Sequence, residues 1–131
     1  MSTPRPFVIR SDDASDAHAS TGMDVRHLLD ADGRWMGWTG RIRNDAGDVS
    51  RWHHHAGNDT FVYVIRGSVT VESGPGGADR IEASGGDFFV VPAGVVHRER
   101  TSAESALDAF VVRVGGEPEL VEVDGPEAAD R

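Results

Sequence analysis

Short β-prone runs separated by turn residues constrain the fold of this chain more than any other feature of its sequence. The runs begin near Trp35 and recur at spacings of about ten residues, with clusters of Gly, Asp, Asn and Pro between them. They lie at residues 36–43, 49–55, 60–65, 68–72, 80–82, 88–91, 95–100 and 107–114. No convincing helical pattern interrupts them, so the sequence predicts an all-β sandwich or closed barrel.

The strand-rich region, residues 21–116, is predicted to be a single barrel domain with its own core. Residues 1–20 are predicted to form a flexible arm, in which residues 7–9 have the composition of one added strand. Residues 23–29 fit either a helical turn or a strand. Residues 117–131 are an acidic tail, with one candidate edge strand at 120–123.

The composition limits the chemistry that this chain can perform. It contains no cysteine, which excludes disulfides, thiolate nucleophiles and iron–sulfur ligation. All 13 of its basic residues are arginine, which excludes lysine Schiff bases. Any metal ion must therefore be held by His, Asp or Glu side chains.

The charge and the hydropathy pattern exclude two classes of partner. A net charge of −9 would repel a phosphate backbone, so nucleic-acid binding is not expected. No apolar run approaches the roughly 20 residues that cross a bilayer, so no membrane insertion is expected. The first residues lack the apolar middle of a signal peptide, which makes a cytoplasmic location the expectation.

Histidines at two places in the chain point to a metal site. In a β-strand alternate side chains share a face, so His53 and His55 would point the same way and His54 the opposite way. Such a pair presents two imidazoles to one ion. The alternative is a solvated strand end, or histidines that are each satisfied by a hydrogen bond in the core or at the surface.

Glycines at fixed distances from these histidines favour the metal interpretation. Gly47 lies six residues before His53, and a second string reads Gly86-x5-Pro92-x-Gly94-x2-His97. From the composition of this chain, the second string should arise by chance on the order of a few times in a thousand sequences, which is rare for a short motif.

These residues resemble the two motifs of the cupin superfamily, G-x5-H-x-H-x3,4-E-x6-G and G-x5-P-x-G-x2-H-x3-N. The positions that match the first motif are Gly47, His53, His55 and Gly67, with Thr60 in the glutamate slot. The positions that match the second are Gly86, Pro92, Gly94 and His97, with Thr101 in the asparagine slot. The resemblance covers residues 47–101 in detail and the flanking strands in general character.

The resemblance implies a double-stranded β-helix, the jelly-roll cupin barrel, with one divalent metal ion per chain on His53, His55 and His97. The usual fourth ligand is a glutamate, which this sequence lacks, and Thr60 is a poor ligand for a divalent ion. Asp59 is a candidate replacement if the turn at residues 56–58 shifts the strand register by one residue. Its alternative role is a turn residue that caps its own backbone.

A three-histidine site resembles that of cupin dioxygenases that act on thiols or diketones, where open coordination positions admit substrate and O2. The favoured expectation is therefore an Fe²⁺ dioxygenase acting on a small organic substrate that chelates the metal. The same ligands suit Zn²⁺, Mn²⁺ or Ni²⁺, which would support an isomerase, a lyase or a polyketide cyclase. A third alternative is a non-catalytic ligand-binding cupin. The resemblance also implies a homodimer.

Further candidates follow from the same alternation. Counting from His97 places Glu99 on its face, where a carboxylate would act as a general base or orient a metal ligand. The alternative places Glu99 beyond the strand end, exposed to solvent. Arg51 shares the face of His53, and Arg41 and Arg43 share a face on the earlier strand, so these arginines are candidates for anchoring a substrate carboxylate or enolate. The alternative is that they are solvated at the strand edges. The aromatic residues are expected in the core or on a dimer surface.

Overall fold

The computed structural model describes residues 5–6, 8, 16–18, 23–26, 37–115 and 120–126. Within these residues the regular structure is almost entirely β. The strands are β1 (Asp16–His18), β2 (Met23–Arg26), β3 (Gly37–Asn44), β4 (His53–His54), β5 (Asp59–Arg66), β6 (Ser68–Ser73), β7 (Asp79–Ser84), β8 (Phe88–Val91), β9 (His97–Thr101), β10 (Leu107–Val114) and β11 (Val121–Glu122). A short 3-10 turn, Pro75–Gly77, joins β6 to β7.

The strands form two antiparallel sheets. One has six strands in the order β1-β2-β3-β10-β5-β8, and the other has five in the order β11-β4-β9-β6-β7. Strands that neighbour each other in a sheet are often far apart in sequence, as with β3 and β10. The all-β prediction is confirmed. In the described part of the chain, no helix has the length and apolar character that a membrane span needs.

Alternation along β5 and β10 places the core between the two sheets. Val62 and Val64 on β5 are buried, as are Ala109 and Val111 on β10, while the residues between them face outward or are half-buried. This is the two-residue period of a strand with one covered face. The apolar core consists of Ile42, Val62, Val64, Val69, Val71, Ala83, Phe89, Val91, Leu107, Ala109 and Val111.

The segment predicted as one strand at residues 49–55 is regular only at His53–His54. It still runs beside β9, because the Ser50 N–H donates to the Glu99 carbonyl at 2.9 Å and Val49 bridges Arg100. In return, the Ser50 hydroxyl accepts the Glu99 N–H at 2.9 Å. The Glu99 N–H thus bonds to a side-chain oxygen where a regular sheet would offer a backbone carbonyl. This interrupts the backbone hydrogen bonding of the continuous strand that the sequence predicted.

The flanking segments differ in part from the predictions. Of the two alternatives for residues 23–29, the strand is found at Met23–Arg26, paired with β3. β1 lies inside the 1–20 arm, where the sequence indicated no strand at that position. Of the candidate strand at residues 7–9, Phe7 and Ile9 lie outside the described residues. β11 agrees with the candidate edge strand at 120–123 and pairs with β4.

Gly67 in the first motif is required by close packing. Its φ is +88°, and a Cβ at this position would lie 2.3 Å from the Ala106 carbonyl oxygen. Only glycine combines that backbone conformation with so close an approach. The turn between β5 and β6 is thereby packed against the chain that leads into β10.

Candidate metal centre

His53 and His97 face each other across neighbouring strands. β4 pairs with β9 in a register that makes these two residues direct partners. Their ring centroids are 4.3 Å apart, and both side chains are buried. A direct cross-strand pair on the inner face is the geometry that brings two side chains into contact.

His55 completes the group from just beyond the end of β4. Its ring centroid lies 4.9 Å from that of His53 and 5.3 Å from that of His97. The loop that follows is closed by the Asn58 N–H, which donates to the His55 carbonyl at 2.9 Å. One ligand atom from each of the three buried histidines lies within 4.8 Å of the others. The structure therefore brings together the three histidines that the sequence singled out.

Backbone carbonyl groups orient two of the three rings. Nδ1 of His53 lies 2.7 Å from the Arg51 carbonyl, and Nδ1 of His97 lies 2.9 Å from the Val95 carbonyl. A carbonyl only accepts, so Nδ1 carries the proton in both rings, and in the neutral ring Nε2 keeps its lone pair. Metal-binding histidines are typically held by a bond of this kind from their other nitrogen.

Glu99 lies against the Nε2 side of the same two rings. Its Oε1 is 3.1 Å from Nε2 of His97, and its Oε2 is 3.7 Å from Nε2 of His53. The side chain is 21% exposed, so the alternative that placed it beyond the strand end is wrong. The face shared by positions 97 and 99, predicted from alternation, is confirmed.

Burial and neighbouring charges give the three histidines different proton affinities. Burial lowers the pKa of His55 to about 2, with repulsion from Arg113 in the same direction. Burial also lowers the pKa of His53. Burial alone would lower the pKa of His97, but its attraction to the Glu99 carboxylate and the hydrogen bond that its ring donates to that carboxylate prevail and raise the pKa. Burial would raise the pKa of Glu99, yet its attraction to the histidines, His97 above all, holds that pKa well below its usual range.

Arg113 is a site residue that the sequence interpretation missed. It is the last inward-facing residue of β10, only 2% exposed, and its Nε donates to Oγ1 of Thr60 at 3.0 Å. Desolvation lowers its pKa to about 10, against attraction from Glu99, so it stays charged at neutral pH. Counting by twos from the buried Val111 would have placed this arginine inside the barrel.

Asp59, the candidate fourth ligand, does not lie with the histidines. It is exposed, and its Oδ1 accepts a hydrogen bond from the Ala93 N–H at 2.8 Å. The register shift that would turn it inward does not occur, because Thr60, Val62 and Val64 occupy the inner face of β5. Asp59 thus caps a backbone N–H, as a turn residue would, but that N–H belongs to the distant Ala93 and not to its own turn.

The arginines expected to anchor a substrate also lie elsewhere. Arg41 is exposed and pairs with Asp108 at 2.6 Å, and Arg51 is exposed and pairs with Glu122 at 3.3 Å. Arg43 is exposed as well. The buried guanidinium beside the histidines belongs to Arg113 instead. A small cavity of about 20 Å³ lies next to Glu99, with apolar walls that include Phe89 from the core.

The fold and this histidine group agree with a comparison against known protein families. Residues 40–113, more than half of the chain, match the family model for the cupin domain. The chain belongs to the cupin family. Its matched region begins in β3 and ends on Arg113 of β10, and it contains all three buried histidines. No curated protein matches the sequence.

Solved structures with the same fold come from proteins of diverse activity. A double-stranded β-helix protein from Klebsiella pneumoniae is 14% identical, with a TM-score of 0.65 over 92% of this chain and 99% of its own. The polyketide cyclase RemF from Streptomyces resistomycificus is 19% identical, with a TM-score of 0.65 over 92% and 86%. An oxalate oxidase is 18% identical, with a TM-score of 0.68 over 92% and 68%. At these identities the likeness shows the double-stranded β-helix fold alone.

Proposed function

We propose that this cupin is a metalloenzyme that binds one divalent metal ion through His53, His55 and His97. The observation that carries the proposal is the mutual approach of three buried imidazoles, whose ligand atoms lie within 4.8 Å of one another. Three neutral nitrogen donors are a common ligand set for Fe²⁺ and Zn²⁺ in catalytic sites that keep open positions.

The described residues fit such an ion. Nδ1 of His53 and Nδ1 of His97 are engaged with carbonyl groups, which leaves Nε2 as the donor atom in each ring. The downward shift of the His55 pKa to about 2 means that protons compete weakly for that ring at neutral pH. An ion held there would supply positive charge to polarise a bound substrate.

We propose further that the ion is Fe²⁺ and that the reaction is a dioxygenation of a small organic substrate with an enolate, thiolate or carboxylate group. The three histidines support this assignment, because as neutral ligands they cancel none of the ion's charge, and that charge attracts an anionic chelating substrate. Arg113 supports it as well, since a buried cation beside the histidines favours an anion in the barrel. Core residues such as Phe89 keep the space beside Glu99 largely apolar, which limits water.

Metal analysis is the first test of this proposal. The purified chain should retain close to one divalent ion, and His97→Ala should lose it while keeping the β-sheet signal of the wild type in circular dichroism. Iron-loaded protein should then consume O2 when given chelating substrates, in proportion to substrate converted. Equal metal content in the wild type and in His97→Ala would contradict the proposed site.

A redox-neutral reaction is the second candidate, supported by the fold shared with the polyketide cyclase RemF and by Glu99, a carboxylate in contact with the histidines. In that case Zn²⁺, Mn²⁺ or Ni²⁺ would act as a Lewis acid in an isomerase, lyase or cyclase. Conversion that proceeds equally well without oxygen would favour this candidate. Tight binding of a ligand with no turnover would instead favour a binding protein.

A further inference from the structure

The Glu99 carboxylate oxygens lie close to the Nε2 atoms of two histidines. The separations are similar to those between two ligand atoms bound to one metal ion. Metal–nitrogen and metal–oxygen bonds are about 2.0–2.2 Å long, so two ligand atoms on the same ion lie about 3 Å apart. The Glu99 oxygens lie 3.1 Å from Nε2 of His97 and 3.7 Å from Nε2 of His53. Little movement is needed to place an ion between the three groups.

The direction of the rings supports the same position for the ion. Nδ1 of both His53 and His97 is occupied by a backbone carbonyl, so an ion must approach from Nε2. That side of both rings is the side where Glu99 lies. An ion bound by these two nitrogens would therefore meet the carboxylate directly.

The position that holds the glutamate in the cupin motif has a different chemistry in this chain. Thr60 stands there, and its hydroxyl accepts a hydrogen bond from the buried Arg113. A guanidinium thus lies on the side of the barrel where the motif has a carboxylate. An ion on the three imidazoles beside this cation would concentrate positive charge in a buried site, and the carboxylate of Glu99 lies where it can offset that charge.

The backbone of Glu99 is held at both of its peptide groups. Its N–H donates to the Ser50 hydroxyl at 2.9 Å, and its carbonyl accepts the Ser50 N–H at 2.9 Å. The side chain therefore starts from a fixed point on β9. A carboxylate that is positioned before the ion arrives loses little freedom on binding it.

We propose that Glu99 supplies the carboxylate ligand of the metal ion, from β9 instead of β5. The inference rests on the proposed three-histidine site and adds its fourth ligand. The ligands of the ion would then be three histidines and one carboxylate, and the carboxylate comes two residues after His97 in the sequence.

The test compares metal-free protein of the wild type, Glu99→Gln and Glu99→Ala after titration with Co²⁺. The visible absorption of bound Co²⁺ depends on the number and kind of its ligands, whereas the titration itself gives the affinity. We expect both variants to bind at least tenfold more weakly and to change the absorption bands. Asp59→Asn is the matched control, a nearby carboxylate outside the site, and should leave affinity and bands unchanged.

Affinity alone would not decide the matter, because a group that only orients a ligand also contributes about 10- to 100-fold to metal affinity. Weaker binding with unchanged Co²⁺ bands in both variants would therefore overturn the proposal, as would unchanged binding. Binding of Co²⁺ by His97→Ala with wild-type affinity would instead overturn the three-histidine site itself.

A second measurement needs no variant. Infrared difference spectra of the wild-type chain, with and without Zn²⁺, report carboxylates that change their coordination. We expect a shift of one pair of carboxylate stretching bands upon binding. Spectra without such a shift would overturn the assignment of Glu99.

Discussion

Arg113 donates from Nε to Oγ1 of Thr60 at 3.0 Å inside the barrel, and both side chains are buried. The two residues face each other on neighbouring strands, where β10 and β5 pair in register. A buried guanidinium is tolerated only when its N–H groups have hydrogen-bond acceptors and its charge has an opposite charge nearby. The hydroxyl of Thr60 supplies one bond, and Glu99 supplies the opposite charge.

Replacing these residues singly and together should show that they are coupled. Thr60→Val removes the acceptor and should lower the free energy of unfolding by about 1–3 kcal/mol, because a buried donor loses its partner. Arg113→Met should cost about 1–3 kcal/mol, since it leaves the buried Thr60 hydroxyl without this donor and removes the attraction between the guanidinium and Glu99. Urea unfolding of both variants, followed by circular dichroism, gives these values.

The double variant Thr60→Val/Arg113→Met is the control for this pair. We expect its loss of stability to be smaller than the sum of the two single losses, by about 1 kcal/mol or more. Strict additivity would contradict a direct interaction between the two side chains.

Lowering the pH should destabilise the metal-free chain below about pH 6.5. The folded pKa of His55 is about 2 and its ordinary value is 6.5, so across this range the unfolded chain binds a proton that the folded chain does not. Each such group lowers the free energy of unfolding by up to about 1.4 kcal/mol per pH unit. His53, with a lowered pKa, acts in the same direction, whereas the stabilisation from His97, whose pKa is raised, is gained above pH 6.5 and stays constant well below it.

Glu99 contributes to the pH dependence of the stability only at lower pH. Because its pKa is depressed, its stabilisation is complete above its ordinary value of 4.5 and is lost as the pH falls below that value. Urea unfolding at several pH values between 7.5 and 4.5 measures the slope, and His55→Asn should reduce it. A stability that rises as the pH falls from 6.5 to 5 would contradict the buried neutral state of His53 and His55.

Gly67→Ala should be much more damaging than Gly47→Ala, although both glycines belong to the first motif. Both have positive φ, +88° and +84°, so an alanine at either position costs about 1–2 kcal/mol in backbone strain. At Gly67 the added Cβ also meets the Ala106 carbonyl oxygen at 2.3 Å, whereas at Gly47 nothing lies within 4 Å. We expect about 1–3 kcal/mol of further loss at Gly67, measured by urea unfolding. Equal losses would contradict the close packing described here.

An apolar surface on the outer face of β5, β8 and β10 would suit the homodimer that the cupin resemblance implies. Its exposed residues are Phe61, Ile65, Phe88, Val90, Phe110 and Val114. Phe88 alone is 75% exposed. Together they expose about 500 Å² of apolar surface, a large part of the roughly 800 Å² that each partner buries in an interface of standard size. We expect a second copy of the chain to cover this face.

Phe88→Asp tests the dimer, because the change lies outside the core and places a charge on the most exposed apolar residue of the predicted contact. Sedimentation equilibrium should show a dimer for the wild type and a monomer for Phe88→Asp, with unchanged metal content. Ile81→Asp, a similarly exposed apolar residue on the other sheet, is the control and should remain dimeric. A monomeric wild type would refute the expectation.

The sequence was sufficient for the fold and for the three histidines, because each depends on local rules. Turn residues between β-prone runs predicted most strands to within one or two residues. The side-chain alternation of a strand placed His53 and His55 on one face. The partnership of His53 with His97 depends on sheet pairing, and only the motif spacing indicated it.

Arg113 and Asp59 show where the sequence was insufficient. Asp59 remained a candidate because its orientation depends on the register of β5. That register is fixed by Thr60, which is buried and therefore turns Asp59 outward. Arg113 was missed because a charged residue at the end of an apolar strand is usually solvated, and its burial depends on partners from β5 and β9.

The strand that carries His53 has only two residues and lies between β9 and β11. One of its two edges is therefore formed by a segment near the C-terminus, where the Val123 N–H also donates to the Trp52 carbonyl at 3.0 Å. Short edge strands open more readily than the centre of a sheet. If the proposed site holds an ion, its rate of release should therefore depend on how often residues 121–123 separate from β4.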